Sequence, residues 1–365
     1  MTDMDAADSD RLDRIVNLAE FEPLARAAME PAAFDYVAGG SWDEQTLADN
    51  EAAWRRRRLR PRVLVDVSRV DPATTLLGVP VTMPVAIAPM AMQSLAHPGA
   101  ESAMGRAAAA AGIPMILSTT ASESIETVAA AVPDATRWFQ LYVQSDLAFS
   151  RTLVERAEAS GFSAIILTVD FPVLGYRDRD RRSGFKLPPL ANFDGVRPTH
   201  GSRRLESLGD LAERYASTLT WADLDRIRTW SALPLVLKGI VTAEDARLAL
   251  DHGADAIVVS NHGARQLDRI AATADVLGEV VEAVAGRTEV WVDGGIRRGL
   301  DIALALALGA RGVLLGRPAY WALAAGGTAG VERALAILRE EFELALALLG
   351  APTPADITPA HVTRS

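Results

Sequence analysis

Cysteine is absent from this chain of 365 residues. The protein therefore has no disulfide bond, thiolate nucleophile, Cys-ligated zinc ion or Cys-ligated iron–sulfur cluster. Long apolar runs are also missing, since no stretch reaches the roughly 20 residues that a helix needs to cross a bilayer. Any catalysis must use His, Lys, Arg, Asp or Tyr side chains, or a bound cofactor.

Positive charge is scarce relative to negative charge. The chain has 47 acidic and 37 basic residues and a formal net charge of -10. Such a surface repels nucleic-acid phosphates and anionic lipids, so we expect a small-molecule ligand and neither nucleic acid nor membrane as partner. A basic run at 55–58, with Arg60 and Arg62, fits a solvated or interface face. The acidic first ten residues lack a secretory signal and predict a cytoplasmic protein.

A repeating pattern fills residues 84–320: an apolar run, a polar turn, and an Ala-rich segment with helical spacing. Alternating strands and helices are typical of a parallel sheet, and eight such strands close a barrel. The sequence therefore predicts an α/β protein with a (β/α)8 TIM-barrel fold. The predicted strands are 85–88, 115–117, 138–142, 164–169, 235–237, 256–260, 290–292 and 312–315.

Helices are predicted between most of these strands, with Ser122 and Thr242 as capping residues of two of them. Their predicted ranges are 99–111, 122–131, 147–160, 242–252, 273–285 and 299–308.

We expect a single domain over residues 1–365, with the barrel at about 84–325. A helical and then irregular N-terminal segment at about 11–80 precedes it, and a C-terminal helix at about 329–350 follows. A long insertion, 177–233, comes after the fourth strand. Long loops are often lids, so part of 179–211 is expected to be disordered without substrate.

Nearly every predicted strand ends in a polar or charged group, which a purely structural barrel would not need. In barrel enzymes the reacting groups lie at these C-terminal ends. In chain order the ends present Pro89-Met90-Ala91, Ser118, Gln140 with Tyr142, Thr168 with Asp170, Lys238, Ser260-Asn261-His262 with Arg265, Asp293 with Arg297, and Gly316-Arg317.

The ends of the last two strands have the composition of a phosphate site. They read Asp293-Gly294-Gly295-Ile296-Arg297 and Leu315-Gly316-Arg317. Glycines let backbone N–H groups approach an anion, and arginines offer forked donors. Structural turns would have the same glycines, so the residues alone leave both interpretations open.

His262 is the candidate general base. It follows a buried-looking strand, and Asp170, from another strand end, could orient its imidazole. Lys238 could form a Schiff base, hold negative charge on a cofactor ring, or be a salt-bridged structural lysine. The remaining histidines lack such neighbours and metal-ligand spacing, so we expect no metal site. These structural or surface histidines are His97, His200, His252 and His361.

Five segments carry a family resemblance: FQLYV at 139–143, LPLVLKGI at 233–240, SNHGARQL at 260–267, VDGGIRRG at 292–299 and LGRP at 315–318. They resemble the FMN-dependent 2-hydroxy acid oxidases and dehydrogenases, the family of glycolate oxidase, lactate oxidase and mandelate dehydrogenase. The resemblance covers about residues 12–350. It implies an eight-stranded barrel with FMN at its C-terminal mouth.

The resemblance also implies roles for the residues that face the substrate. Arg177 and Arg265 would clamp its carboxylate, assisted by Tyr36. His262, oriented by Asp170, would be the catalytic base. Tyr142 would hydrogen-bond the 2-hydroxyl group.

FMN would be held by residues from all eight strand ends, with Lys238 stabilising the negative charge of the reduced ring. The implied FMN-binding residues are Ala88, Pro89, Met90, Ala91, Ser118, Gln140, Thr168, Lys238, Ser260, Asp293, Gly294, Gly295, Arg297, Gly316 and Arg317.

One departure from the family pattern bears on the substrate. Thr120 stands where glycolate oxidases have Trp in their motif SSWATS. The smaller side chain vacates part of one pocket wall, so we expect a substrate larger than glycolate, either mandelate-like or a longer aliphatic acid.

The resemblance predicts oxidation of an L-2-hydroxy acid to the 2-oxo acid. Ala91 beside the flavin favours oxygen as acceptor, with hydrogen peroxide as product, and a homotetramer is the family expectation. A dehydrogenase that uses a quinone or another acceptor is the alternative. A non-redox FMN barrel, such as a type 2 isopentenyl diphosphate isomerase, would not need the arginine pair with His262.

Overall fold

Eight parallel strands close a barrel in the computed structural model, which describes residues 11–193 and 205–363. Going round the barrel, the strand order is β10-β3-β4-β5-β6-β7-β8-β9. The predicted TIM barrel is confirmed. The strands are β1 Thr74–Leu76, β2 Val79–Val81, β3 Val85–Met90, β4 Met115–Ser118, β5 Arg137–Leu141, β6 Ile165–Thr168, β7 Leu235–Ile240, β8 Ala256–Val259, β9 Glu289–Val292 and β10 Gly312–Leu315.

Helices precede, connect and follow the barrel strands. They are α1 Phe21–Ala28, α2 Pro31–Ala38, α3 Gln45–Arg56, α4 Ala100–Ala110, α5 Ile125–Ala131, α6 Leu147–Ala159, α7 Asp178–Ser183, α8 Leu208–Ala212, α9 Trp221–Arg228, α10 Ala243–Asp251, α11 Thr273–Val284, α12 Gly299–Ala307 and α13 Arg317–Leu349. The last consists of two helical segments that meet at a kink at Gly326 and Gly327. Among the described residues, no helix combines the length and apolarity that a bilayer span requires.

Side chains alternate between the two faces of each barrel strand, as the two-residue period of a strand requires. In β7, Leu235 and Leu237 pack against the surrounding helices, whereas Val236 points into the barrel. The inward residues form one apolar layer, in which the rings of Trp138 and Trp291 stack with centroids 5.1 Å apart. The next inward position on each strand lies at the mouth.

The eight predicted barrel strands and the six predicted connecting helices form, with ends shifted by at most three residues. The predicted C-terminal helix, 329–350, corresponds to the second segment of α13, a helix that begins earlier, at Arg317. Thr242 caps α10 as expected, and its hydroxyl accepts from the N–H of Asp245. The prediction of Ser122 as a cap is wrong. Ser124 caps α5 instead, since its hydroxyl accepts from the N–H of Thr127.

The antiparallel hairpin β1–β2 lies in a segment that was expected to be irregular. Leu76 and Val81 pack against the apolar layer inside the barrel and close the end opposite the mouth. Strands of three residues carry too little alternation to be recognised from sequence.

The described part of the insertion between β6 and β7 contains three α-helices, α7 to α9. Helix α7 ends at Gly184, which takes the left-handed conformation common after a helix C-terminus. Of the segment expected to be disordered, 179–193 and 205–211 are described and include α7 and the start of α8, and 194–204 lies outside the described residues.

The basic run 55–58 faces acidic residues of this same chain. Arg56 and Arg57 both pair with Asp275 of α11, and Arg55 pairs with Glu51 one turn earlier in α3. These contacts favour the interpretation as a solvated face.

The stacked indoles inside the barrel generate a stability prediction. Trp291→Ala should lower the free energy of unfolding by about 3–5 kcal/mol, because it leaves a cavity beside Trp138 in a fully buried layer. Urea unfolding followed by circular dichroism measures the change. The matched control is Trp42→Ala, since Trp42 is 44% exposed. Equal losses in the two variants would contradict the prediction.

Candidate active site

The strand period places eight residues in a ring at the barrel mouth, one layer above the apolar layer. The ring consists of Ala88, Ser118, Gln140, Thr168, Lys238, Ser260, Asp293 and Gly316. Each is an inward-facing residue, two positions beyond an inward apolar one. The end of each strand therefore supplies one group to a common site.

An open cavity of about 1220 Å³, including solvent space at its entrance, lies over this ring. Most of the predicted site residues line it: Tyr36, Ala88, Pro89, Met90, Ala91, Ser118, Thr120, Tyr142, Thr168, Arg177, Lys238, His262, Arg265, Asp293, Gly294, Gly295, Arg297, Gly316 and Arg317.

Three predicted site residues, Gln140, Ser260 and Asp170, lie behind the lining. The Gln140 amide donates to the Thr168 hydroxyl at 3.0 Å and accepts from the Ser118 hydroxyl at 3.1 Å. The Ser260 hydroxyl accepts from the Lys238 ammonium at 2.7 Å. Gln140 and Ser260 therefore position neighbours that face the cavity.

His262 has two side-chain partners. Its Nδ1 lies 2.7 Å from Oδ1 of Asp170, and its Nε2 lies 3.1 Å from the Tyr142 hydroxyl. The backbone of His262 is left-handed, with φ of 59°, which directs the ring toward the cavity rather than along the strand.

Burial lowers the pKa of His262 below its ordinary value, although the Asp170 carboxylate acts in the opposite direction. Burial alone would raise the pKa of Asp170, but the neighbouring His262 and Lys238 lower it. Burial raises the pKa of Tyr142, which stays a phenol. The group is a neutral imidazole between a carboxylate and a hydroxyl donor.

Two arginines face this imidazole: the buried Arg177 from the insertion and the half-buried Arg265 from the same loop as His262. Arg177 donates to the backbone carbonyl of Arg265 at 3.0 Å, and Arg265 donates to the carbonyl of Gly39 at 3.0 Å. Burial and the adjacent Arg265 lower the pKa of Arg177 to about 10. Arg177 remains charged at neutral pH, and an anion between the two guanidinium groups would relieve their repulsion.

A third arginine lies at the last strand end. Arg317 donates to the carbonyls of Val37, Gly263 and Gly39, at 2.9, 3.0 and 2.9 Å. Burial, together with the nearby Arg265 and Arg297, lowers its pKa to about 9. The positive charge at this end of the cavity suits a second anion.

Three groups near the site were not predicted from the sequence, and all three lie on α3 of the N-terminal segment. Asn50 and Asn261 form a buried reciprocal amide pair with N···O distances of 2.9 and 2.8 Å. The Trp54 indole donates to the carbonyl of Gly294 at 2.8 Å, and Glu51 pairs with Arg297 at 2.8 Å. Helix α3 therefore braces the loops after β8 and β9.

An aromatic wall also escaped prediction. Phe171 and Tyr215 join Tyr142 along one side of the cavity, with Tyr142 stacked on Tyr215 at a centroid distance of 4.8 Å. Phe171 immediately follows Asp170 at a strand end, so its position in the sequence could have identified it as a site residue. Tyr215 lies in the insertion, where no periodic pattern distinguishes it from its neighbours.

The other described histidines have local partners away from the cavity. His97 accepts from the N–H of Gly99, His252 contacts Asp225, and His361 is buried against Thr358. His200 lies outside the described residues.

Comparisons with known proteins agree with this geometry. A family model described as FMN-dependent dehydrogenase matches residues 25–364. The chain is 48% identical to an L-lactate oxidase of Nostoc sp. over 351 residues, which cover 94% of this chain and 96% of the relative. It is 48% identical to glycolate oxidase 1 of Oryza sativa subsp. indica over 353 residues, 95% of each chain.

A solved structure of mandelate oxidase with (S)-4-hydroxymandelic acid is 43% identical, with a TM-score of 0.89, and the match covers 96% of this chain and 98% of that chain. The chain belongs to the FMN-dependent dehydrogenase family. The predicted family and the predicted cofactor, FMN, are confirmed.

The residues at the mouth fit the cofactor of this family. Burial would lower the pKa of Lys238, but Asp293, 3.1 Å away, and Asp170 raise it, so a fixed ammonium faces the cavity instead of a Schiff-base nucleophile. Oδ1 of Asp293 is buried and has no hydrogen-bond partner among the described residues, which suits a sugar-alcohol hydroxyl. Within the described part of the chain, a Cβ at Gly316 would meet only Ala88, at 3.9 Å, so the backbone there is open to a phosphate.

The amide pair between α3 and the His262 loop generates the second prediction. Asn50→Ala should lower the free energy of unfolding by about 1–3 kcal/mol, because it leaves the buried Asn261 amide without its partner. Urea unfolding measures the loss. The control is Asp49→Ala on the exposed face of the same helix, with an expected change within about 0.5 kcal/mol. A small effect of both substitutions would contradict the bracing role.

Proposed function

We propose that the protein oxidises an L-2-hydroxy acid larger than glycolate to the 2-oxo acid and passes the electrons to oxygen, forming hydrogen peroxide. The observation that supports this most directly is the convergence of a half-buried imidazole, paired with a carboxylate, and two arginines on one cavity. Relatives named L-lactate oxidase and glycolate oxidase support the same chemistry.

The substrate carboxylate binds between Arg177 and Arg265. Both guanidinium groups line the cavity, and a planar fork matches a carboxylate in two hydrogen bonds. The Arg265 guanidinium lies over the Tyr36 ring, with its Cζ 4.7 Å from the ring centroid, and this contact holds the guanidinium in place. The clamp fixes which face of the substrate meets His262.

His262 acts as the general base. Its lowered pKa keeps Nε2 unprotonated at neutral pH, so it can accept a proton from the substrate, and Asp170 then stabilises the imidazolium through Nδ1–H. Tyr142 remains a hydrogen-bond donor and holds the 2-hydroxyl oxygen. Bound FMN supplies the two-electron acceptor.

FMN would be held by the ring of residues at the mouth. Lys238 would stabilise the negative charge of the reduced isoalloxazine, and Arg297 and Arg317, with Gly294, Gly295 and Gly316, would bind the phosphate. The remaining contacts come from residues that line or brace the cavity: Ala88, Pro89, Met90, Ala91, Ser118, Gln140, Thr168, Ser260 and Asp293. A homotetramer and a cytoplasmic location stay predictions, and light scattering tests the first.

Two half-reactions test the proposal. Anaerobic mixing with a panel of 2-hydroxy acids should bleach the flavin absorbance, and mixing the reduced protein with oxygen should restore it at least as fast as turnover. Reoxidation far slower than turnover with an artificial acceptor would reassign the protein as a dehydrogenase. Failure of every 2-hydroxy acid to bleach the flavin would refute the substrate class.

The pairing of Asp170 with His262 predicts a pH effect. Asp170→Asn removes the charge that raises the pKa of His262, so the acid limb of kcat/KM should move to lower pH. Loss of orientation should reduce the rate by about 10²- to 10⁴-fold at the plateau. Flavin reduction by the acid is followed by stopped flow at pH values from 4 upward, spaced by about one pH unit. The profile gives both the position of the acid limb and the plateau rate. An acid limb that moves to higher pH would contradict the assignment.

Removing either arginine should weaken substrate binding. Arg177→Met and Arg265→Met each leave the carboxylate with one charged partner fewer, at a cost of roughly 2–5 kcal/mol in kcat/KM. The control is Arg181→Met, because Arg181 is exposed and lies over the Tyr176 ring outside the cavity. Unchanged kinetics in both clamp variants would place the carboxylate elsewhere.

Thr120 should set the size of the accepted side chain. It is buried, lines the cavity and hydrogen-bonds the Ser118 hydroxyl at 3.0 Å. Thr120→Trp should shift the kcat/KM ratio toward glycolate over mandelate by roughly 10- to 200-fold. Thr120→Val, which keeps the size, is the control. Wild-type protein that prefers glycolate to every larger acid would refute the pocket argument.

A further inference from the structure

A second cavity lies directly behind the aromatic wall of the active site. It has a volume of about 1000 Å³, including solvent space at its opening, between strands β6 and β7 and the segment that leads into α9. Leu167 and Leu237 line it from the outer face of the barrel. The catalytic mechanism uses none of this space.

The lining extends from solvent to the active site. Ser217 and Thr220 are exposed and mark the outer end, whereas Leu224 and Ile227 of α9 are buried and form the middle with the barrel leucines. At the inner end, the cavity shares Tyr142, Thr168, Phe171 and Tyr215 with the active-site cavity. The two spaces therefore meet at a partition of three aromatic rings and Thr168.

Charge separates the two cavities. Four arginines and Lys238 line the active-site cavity. Among the described residues that line the second cavity, none is Lys or Arg, and the ionisable side chain at its rim is the acidic Asp245. An anionic 2-hydroxy acid would lose its hydration there without gaining a cation, so it would be excluded. A small neutral apolar molecule meets no such penalty.

We propose that this second cavity is a binding and access site for dioxygen, separate from the entrance used by the acid. The inference rests on the proposed oxidase function. Dioxygen takes two electrons from the reduced cofactor and two protons to give hydrogen peroxide. Because it is small, neutral and apolar, it needs only an apolar route that ends at the active-site cavity.

The partition can pass such a molecule without opening the site to the acid. Phe171 and Tyr215 meet edge to face at a centroid distance of 5.3 Å, and Tyr142 stacks on Tyr215. The backbone around Tyr215 is held by the bridge to Gln144 and by the hydrogen bond from Ala216 to Val143. Passage therefore depends on fluctuations of these rings and of the Thr168 side chain.

Xenon tests the site without any turnover. Crystals of the holoenzyme pressurised with xenon should show a xenon atom between Leu167, Leu224 and Leu237, because these side chains form the buried apolar middle of the cavity and apolar cavities bind xenon. Xenon absent from the cavity would overturn the binding site. This readout is independent of whether the protein oxidises any acid.

Filling the cavity tests the route. Leu224→Phe and Ala216→Leu, singly and combined, should slow reoxidation of the reduced flavin by oxygen several-fold, most strongly in combination. Anaerobic reduction by the acid and turnover with an artificial acceptor should be unchanged. Ala222→Leu is the matched control, since Ala222 is an exposed residue of α9 that does not line the cavity.

Leu224→Ala provides a second test if the larger side chains prevent folding. This variant widens the cavity, so oxygen should reoxidise its reduced flavin at least as fast as that of the wild type. Normal reoxidation in the combined variant, or equal slowing of reduction and reoxidation, would overturn the route. A wild-type protein whose reduced flavin does not react with oxygen would instead refute the proposed oxidase function, which the xenon experiment does not address.

Discussion

The two-residue period of a strand, imposed on eight parallel strands that close on themselves, determines the rest of this structure. Once Trp138 and Trp291 fill the barrel, the next inward residue of each strand must face the mouth. A shift of one residue in any strand would turn a ligand-facing group toward the helices. The site is thus a layer of the barrel, which explains why residues far apart in sequence, such as Ser118 and Gly316, act on one ligand.

Placing so many ionisable groups in a buried layer requires that their charges be balanced. Lys238 is balanced by Asp293, and His262 lies against Asp170. The arginines are different, because Arg177 and Arg317 direct their hydrogen bonds mainly to neutral acceptors and their pKa values are lowered. The free energy cost of holding these cations is offset when anionic ligands bind, so ligand binding and stability are linked in this fold.

The sequence predicts the parts of the fold that alternate strongly. The eight strands, six of the helices and the strand-end residues follow from periodicity, and the family motifs add Tyr36 and Arg177 from outside the strands. What the sequence does not reveal depends on tertiary contacts. Asn50 is an ordinary polar helix residue until the fold brings it to Asn261. Ser122 loses its capping role to Ser124 because its hydroxyl accepts from the N–H of Ser94 and donates to the Ser94 hydroxyl. The β1–β2 hairpin is too short to show a period.

The amide pair between Asn50 and Asn261 also bears on how the protein is made. Its two residues are 211 positions apart, so α3 leaves the ribosome long before the loop it braces exists. Domains fold as units during synthesis, and contacts of such large separation form late. Asn50 on α3 therefore lacks this partner until the chain has been translated past Asn261. The brace between α3 and the loop after β8 therefore forms late in synthesis.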